Sequence, residues 1–152
     1  MDAMTAVHLL QLTDTHLVGD PAGGMRGVVT LNTLRASLDL ARRRCGGFHQ
    51  LDAILATGDL VHDDPDGYPW IARELGAYKT LGVGVPGMIT PEGIVRESPN
   101  LTGAIELDLR SQLEKELGHA VDVENDATCA AHAEWQFGAG RGATDMWMVT
   151  LG

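Results

Sequence analysis

Positively charged residues are scarce in this chain. The 152 residues contain 11 lysine and arginine side chains against 21 aspartate and glutamate side chains, which gives a formal net charge of −10. A protein with this charge repels a phosphate backbone instead of releasing its counterions. The composition therefore argues against nucleic acid as a partner.

Cysteines and long apolar runs are also lacking. Cys45 and Cys129 are the two cysteines, neither belongs to a Cys-x-x-Cys pair, and no disulfide framework is expected. No segment reaches the roughly 18 uninterrupted apolar residues that a membrane-spanning helix needs. From the sequence we expect a soluble, cytoplasmic protein with no membrane partner.

What the chain does contain is an alternation of apolar strand-like segments and amphipathic helical segments. A hydrophobic content of 44% and this length indicate a single domain over residues 1–152. The segments predict an α/β fold, with a mostly parallel sheet of about five strands and helices on both faces in three layers. The predicted strands are 6–12, 52–57, 81–85, 120–124 and 145–152, and the predicted helices are 28–44, 68–77, 105–117 and 127–137.

Three polar side chains follow the first two predicted strands. Asp14 and His16 come after the first strand, and Asp59 follows the second. Because parallel strands end at one edge of a sheet, these side chains are candidate ligands of one metal site. The alternative is that they are polar loop residues, with Asp14 binding nearby backbone N–H groups.

Two segments, LLQLTDTHL and LDAILATGDLVHDD, are followed by Tyr68 in the next predicted helix. With these features the stretch from about residue 7 to 76 resembles the calcineurin-like metallophosphoesterases, in particular the bacterial cyclic-nucleotide phosphodiesterase branch. The resemblance implies that Asp14 and His16 bind a first metal ion and that Asp59 bridges to a second.

That family also requires an Asn-His pair, a further histidine and a Gly-His-x-His motif. The chain contains no Asn-His dipeptide, and Gly118-His119 is followed by Ala120 and Val121. We therefore expect no resident cofactor except one weakly bound divalent metal ion. Residual metal-dependent phosphoesterase activity at Asp14, His16 and Asp59 remains as an alternative.

The second half of the chain contains, in order, the segments GVGVPGMITPEGIVRESPNL, VDVENDATCAAHAEWQFGAGRG and the terminal VTLG. With these segments the chain from about Leu81 to Gly152 resembles the ROK group of sugar kinases and repressors, including bacterial glucokinases. It implies that Asp126 is a general base and that Asn125 binds the sugar. The alternative is that Asn125 or Asp126 simply caps the following helix.

The kinase-like segment lacks the Asp-x-Gly-Gly-Thr hairpin that binds nucleotide phosphates in that family. Phosphoryl transfer depends mainly on positioning and charge neutralisation, so we expect Asp126 to be catalytically vestigial. Weak sugar binding at Asn125 and Asp126 is a second alternative.

Together the two resemblances suggest an artificial or recombined chimera of residues ~1–77 and ~78–152, joined near residues 76–82. We expect an α/β scaffold with no intact active site and no catalytic activity. The seam would not have been optimised for packing, so we also expect segment-swapped dimers or other homo-oligomers.

Overall fold

The computed structural model describes residues 8–76, 81–98, 101 and 103–150. The element bounds in these residues are as follows. The strands are β1 (Leu9–Thr13), β2 (Gly24–Met25), β3 (Val28–Val29), β4 (Ala53–Thr57), β5 (Leu81–Val85), β6 (Met88–Ile89), β7 (Ile94–Glu97), β8 (Leu107–Asp108) and β9 (Val121–Asn125). The helices are α1 (Thr30–Cys45), α2 (Tyr68–Leu75), α3 (Leu109–Leu117) and α4 (Asp126–Phe137).

The central sheet has the strand order β1-β4-β5-β9, and all three of its strand pairs are parallel. Each pair is joined through a helical crossover, as parallel strands require. This arrangement confirms the α/β fold class with a mostly parallel sheet. The pairing of β4 with β5 also places both predicted fragments in one sheet, a point that the sequence left open.

One face of this sheet carries the core. Alternate strand residues such as Ile54, Val83 and Val121 are buried there. Helices α1, α2 and α3 cover them with apolar side chains that recur at three- and four-residue spacing, among them Leu34, Leu38, Ile71, Leu109 and Leu113. The apolar spacing in the sequence therefore predicted the correct buried faces of α1 and α3.

The opposite face is covered much less. Leu9 is 54% exposed and Leu55 is 38% exposed on this side. Helix α4 contacts β5 and β9 but buries none of its own side chains. The three-layer arrangement is thus complete on one face and only partial on the other.

The expected fifth strand over residues 145–152 is wrong for residues 145–150, which form no strand, and residues 151–152 lie outside the described residues. The chain turns back on the end of α4 instead of returning to the sheet. Gly140 N–H donates to the carbonyl of Glu134, and the Trp135 indole N–H donates to the carbonyl of Ala143 at 2.9 Å. Trp147 is left 97% exposed.

Two helices begin later than the sequence predicts. Helix α3 starts at Leu109 instead of residue 105, because the Asp108 carboxylate accepts a hydrogen bond from Ser111 N–H and caps it there. Helix α1 starts at Thr30 instead of residue 28, because Val28 and Val29 pair with β2 in a hairpin. That hairpin was not foreseen.

The predicted ends of α1 and α3 agree with the structure to within one residue, whereas α2 ends at Leu75 instead of residue 77. Gly46 ends α1 in the left-handed conformation at φ 75°, and Gly118 ends α3 at φ 74°. The cluster Arg42, Arg43 and Arg44 occupies the last turn of α1, where cations complement the helix dipole. Across the described residues, every helix is too short or too polar to traverse a bilayer.

Candidate functional site

The carboxyl edge of the central sheet brings the three predicted metal ligands together. Strands β1 and β4 run in register from Leu9 opposite Ala53 to Thr13 opposite Thr57, so their following loops leave the sheet side by side. Asp14, His16 and Asp59 each offer one ligand atom, and these atoms all lie within 4.8 Å of one another. The spacing suits a single ion, since its ligands must stand within a few ångströms of one another.

Backbone hydrogen bonds connect the loop after β1 to the loop after β4. His16 N–H donates to the Asp59 carbonyl at 3.0 Å, and Leu17 N–H donates to the Leu60 carbonyl at 2.9 Å. The Thr15 hydroxyl also donates to the Leu60 carbonyl, at 2.7 Å. The ligand-bearing segments therefore keep a fixed separation.

The backbone at this edge adopts unusual conformations. Asp14 has φ 53° and His16 has φ 45°, in the left-handed region that non-glycine residues rarely enter. Such strain persists only where the surroundings impose it, and it concentrates at functional sites. In this loop it turns both side chains toward Asp59.

Gly58 makes room for Asp14. A Cβ on Gly58 would stand 2.7 Å from Thr13 Oγ1 and 3.1 Å from Asp14 Oδ2, and its φ is 73°. The Thr13 hydroxyl also donates to the Asp14 carboxylate. Glycine is therefore required here for both conformation and space.

The donor set fits a divalent cation. His16 is half-buried, and its Nδ1 is buried without a hydrogen-bond partner among the described residues. Two carboxylates and one imidazole suit Mn²⁺, Fe²⁺ or Zn²⁺. One nitrogen of the His16 ring lies within 4.8 Å of a carboxylate oxygen of Asp14 and of Asp59.

The neighbouring acidic loop does not add to this donor group. The Asp64 carboxylate accepts hydrogen bonds from Gly19 N–H at 2.7 Å and from Asp66 N–H at 3.1 Å, so it stabilises the loop itself. The His62 ring meets the His16 ring edge-on, with centroids 5.8 Å apart.

Asn125 and Asp126 stand at the same sheet edge, where β9 runs into α4. Asn125 caps α4, because its Oδ1 accepts from Thr128 N–H at 2.8 Å while its Nδ2 donates to the Gly87 carbonyl at 2.9 Å. Asp126 Oδ1 accepts from Ala127 N–H at 2.8 Å. The capping alternative from the sequence describes the role that Asn125 plays in this structure.

The two candidate sites are neighbours. At the position where Gly84 would carry a Cβ, Asp126 Cα lies at 3.6 Å and Thr57 Cγ2 at 3.7 Å, so the start of α4 reaches the end of β4. Tyr68 is buried near both sites. The pKa of its hydroxyl is raised, first by burial and then by the negative charges of Asp59 and Asp126. The sequence had indicated no role for Tyr68.

A family model described as the ROK family matches residues 69–152, which is more than half of the chain. The chain belongs to the ROK family. The matched segment begins within α2, upstream of the seam proposed from the sequence, and contains Asn125 and Asp126.

Curated relatives resemble parts of the chain. A glucokinase from Thermotoga maritima is 44% identical over 73 residues, 47% of this chain and 23% of that protein. An N-acetyl-D-glucosamine kinase from Vibrio cholerae is 41% identical over 61 residues, 40% of this chain and 20% of that protein. The 3',5'-cyclic adenosine monophosphate phosphodiesterase CpdA from Escherichia coli is 34% identical over 82 residues, 53% of this chain and 29% of that protein. The chain thus spans less than a third of the length of these relatives.

Among solved structures, the inorganic polyphosphate/ATP-glucomannokinase from an Arthrobacter strain is 23% identical. The overlap covers 76% of this chain and 36% of that chain, with a TM-score of 0.44. The Thermus thermophilus ROK hexokinase overlaps with a TM-score of 0.38 at 27% identity, covering 82% of this chain and 30% of that chain. The family assignment stands on the sequence match alone.

Proposed function

We propose that this chain is a recombined α/β unit that binds one divalent cation through Asp14, His16 and Asp59 and does not phosphorylate sugars. The observation that carries the proposal is the convergence of three ligand atoms within 4.8 Å at the carboxyl edge of the sheet. The similarity to CpdA beside the ROK-family match supports a recombined origin.

The site suits one ion better than two. Asp14, His16 and Asp59 form the one cluster of three or more potential ligands among the described residues. His119 precedes β9, whereas Asp14 and Asp59 follow their strands, so it lies at the opposite edge of the parallel sheet. Its Nδ1 lies 3.0 Å from the Ala120 carbonyl.

The chemistry available at this site is hydrolytic. A bound divalent ion would polarise a phosphoryl oxygen and lower the pKa of a coordinated water. Asp14, His16 and Asp59 would hold the ion, and the backbone hydrogen bonds between their loops would maintain the geometry. Slow phosphoester hydrolysis is therefore the alternative function, resting on the same three residues.

Sugar binding at Asn125 and Asp126 is the second alternative. Asn125 engages both side-chain polar atoms in holding the start of α4 and the Gly87 carbonyl. A sugar hydroxyl would have to compete with those bonds or use Asp126 alone. Saturable heat on glucose titration that disappears in Asp126→Ala would establish this alternative, and a flat titration would remove it.

The first test is a titration with Mn²⁺, in which binding is measured by calorimetry and by electron paramagnetic resonance of the free ion. We expect saturable binding of one equivalent. Asp59→Asn should weaken the affinity at least about tenfold, because it removes a charged ligand. The matched control is Asp63→Asn, which removes one charge from the adjacent exposed loop at a position with φ 51° that asparagine tolerates. The same loss in both variants, or no saturable binding, would overturn the proposal.

Activity assays separate the alternatives. With Mn²⁺ present, we expect at most slow release of nitrophenolate from bis-p-nitrophenyl phosphate, and no glucose-dependent consumption of ATP or polyphosphate. Rapid release that disappears in Asp59→Asn would establish a phosphoesterase. Sugar-dependent ATP consumption that disappears in Asp126→Ala would establish a kinase.

A further inference from the structure

Strand β1 leaves one edge of the central sheet unpaired. It stands first in the strand order β1-β4-β5-β9, and β4 is its one strand partner among the described residues. Its sequence, LLQLT, contains no charged residue and no proline, and its pairing with β4 continues without a bulge. Charges, prolines and bulges are the features that usually protect an edge from another strand. The edge of β1 therefore has none of these protections.

The hydrogen bonds of β1 show which of its residues face the free edge. The His8 carbonyl accepts from Asp52 N–H at 2.8 Å, so the backbone of His8 is directed toward β4. Because successive residues of a strand direct their N–H and C=O groups to opposite edges, every second residue after His8 also faces β4. The residues whose backbone groups point to the free edge are Leu9, Gln11 and Thr13.

The space beside this edge can receive another strand. A cavity of about 530 Å³ lies between β1 and one flank of α1, where Thr33 and Ser37 line it. Leu40, which is 46% exposed, follows one turn further along the same flank. The opposite flank of α1 meets α2 through the ion pair of Arg35 and Glu74 at 2.7 Å. An added strand would therefore meet an uncharged stretch of α1.

The charges at the two ends of β1 favour antiparallel pairing with a second copy of the chain. Asp14 and Asp59 follow the carboxyl ends of β1 and β4, and Arg26 is the single arginine or lysine lining the cavity there. His8 and Arg44 line another cavity at the amino end of β1. Antiparallel pairing puts the acidic end of each copy against the basic end of the other, whereas parallel pairing puts acid against acid.

We propose that two copies of the chain pair through their β1 strands, antiparallel across a two-fold axis at Gln11, so that their central sheets become one sheet. Gln11 then faces Gln11 of the second copy, and Leu9 faces its Thr13, so each outward N–H meets an outward C=O. Any other two-fold register leaves at least one outward residue unpaired. On the core side, Leu10 lies beside Leu12 of the second copy. This interface does not rest on the proposed metal site.

Sedimentation velocity of the full chain, from about 1 µM to about 1 mM, tests the association. We expect a reversible monomer–dimer equilibrium. Gln11→Glu and Gln11→Lys each place two like charges about 5 Å apart at the two-fold axis, so both should weaken the dimer at least about tenfold. Gln11 is exposed, so the far-UV circular dichroism should remain that of the unaltered chain.

The matched control is Gln112→Glu, which makes the same charge change at an exposed position of α3. Its dimer should be as stable as that of the unaltered chain. Equal dimer affinities for Gln11→Glu and Gln112→Glu would overturn the proposal. A chain that stays monomeric at the highest concentration would overturn it as well.

Single cysteines test the register, in a background of Cys45→Ser and Cys129→Ser. Gln11→Cys brings two Cα atoms to about 5.5 Å, within the range of a disulfide, and should give a covalent dimer in a glutathione redox buffer. Leu9→Cys leaves its two Cα atoms about 14 Å apart, because Leu9 faces Thr13, and should stay uncrosslinked. Equal crosslinking of the two variants would overturn the register. A dimer that neither cysteine crosslinks would show that another surface, or an exchange of segments, joins the copies.

Discussion

At the scale of single residues, the candidate metal site depends on backbone conformations that most side chains avoid. Asp14 and His16 hold positive φ angles, and Gly58 opposite them is the residue that leaves space for the Asp14 carboxylate. The sequence predicts which residues are the candidate ligands, but it does not predict the strained backbone conformations that orient their side chains. A substitution that leaves all three ligand residues in place can therefore still distort the geometry of this site.

Gly58→Ala tests that sensitivity. The added Cβ would clash with Thr13 Oγ1 and crowd Asp14 Oδ2 at φ 73°. We expect a loss of about 1–3 kcal/mol in the free energy of unfolding and weaker Mn²⁺ binding. Urea denaturation and Mn²⁺ titration measure the two effects.

Gly118→Ala is the matched control for this change. Gly118 has φ 74° and no neighbouring atom within 4 Å of the added Cβ, so it carries the conformational cost alone. We expect about 1 kcal/mol of destabilisation and unchanged Mn²⁺ affinity. Equal Mn²⁺ affinities for the two alanine variants would show that Gly58 does not position Asp14.

At the scale of elements, α4 differs from the other helices because it buries none of its side chains. Its attachment to the sheet comes largely from its first residues, where Asn125 accepts from Thr128 N–H and donates to the Gly87 carbonyl. A helix with so little buried apolar surface opens more readily than the rest of its domain. The cap at Asn125 should therefore control how often α4 opens.

Asn125→Ala should lower the free energy of unfolding by about 1–2 kcal/mol and accelerate hydrogen exchange across α4. Asp108→Ala removes the equivalent cap from α3, which buries Leu109, Leu113 and Leu117. In that control the loss of stability should be similar, but exchange in α4 should stay slow. If α4 amides exchange at the same rate in Asn125→Ala as in the unaltered chain, the helix is held by other contacts.

The sequence predicted the strands and helices more accurately than the turns that connect them. Apolar runs identified the four strands of the main sheet, and apolar periodicity identified α1 and α3, because burial imposes a period on the residues that face the core. It failed at residues 145–150, where MWMV has strand composition, because the turn after α4 decides where that segment goes. The β2–β3 hairpin was missed because Arg26-Gly27 is a weaker turn signal than Asn-Gly.

The candidate sites show the same division. Asp14, His16 and Asp59 were predicted to lie together because strand ends of a parallel sheet share an edge. The left-handed conformations of Asp14 and His16 were not foreseen, because they depend on how the two loops contact each other. These features follow from tertiary packing and not from local pattern.

At the scale of the whole molecule, the central sheet makes the two segments of the chain interdependent. Strand β4 of the first segment pairs in parallel with strand β5 of the second, from Ile54 opposite Leu81 to Ala56 opposite Val83. The helices of both segments also bury one common apolar cluster. Neither segment keeps a complete sheet or core without the other.

We therefore expect one cooperative thermal transition for the full chain, with the same midpoint by far-UV and near-UV circular dichroism. Residues 1–77 and 78–152, expressed separately, should lack dispersed amide resonances because each loses half of the core. Two transitions, or a native-like spectrum from either piece, would contradict this. Size-exclusion chromatography of the full chain tests the expected exchange of segments between copies.

The parallel order of the central strands also governs how quickly the protein can fold. No two of these strands are joined by a hairpin, so each pairing must wait until an intervening helical segment has been organised. The β2–β3 turn can close within microseconds, whereas the sheet that carries the candidate sites forms among the last structures. We therefore expect these strand edges to remain unpaired after the hairpin has closed, so that a second molecule can compete for them.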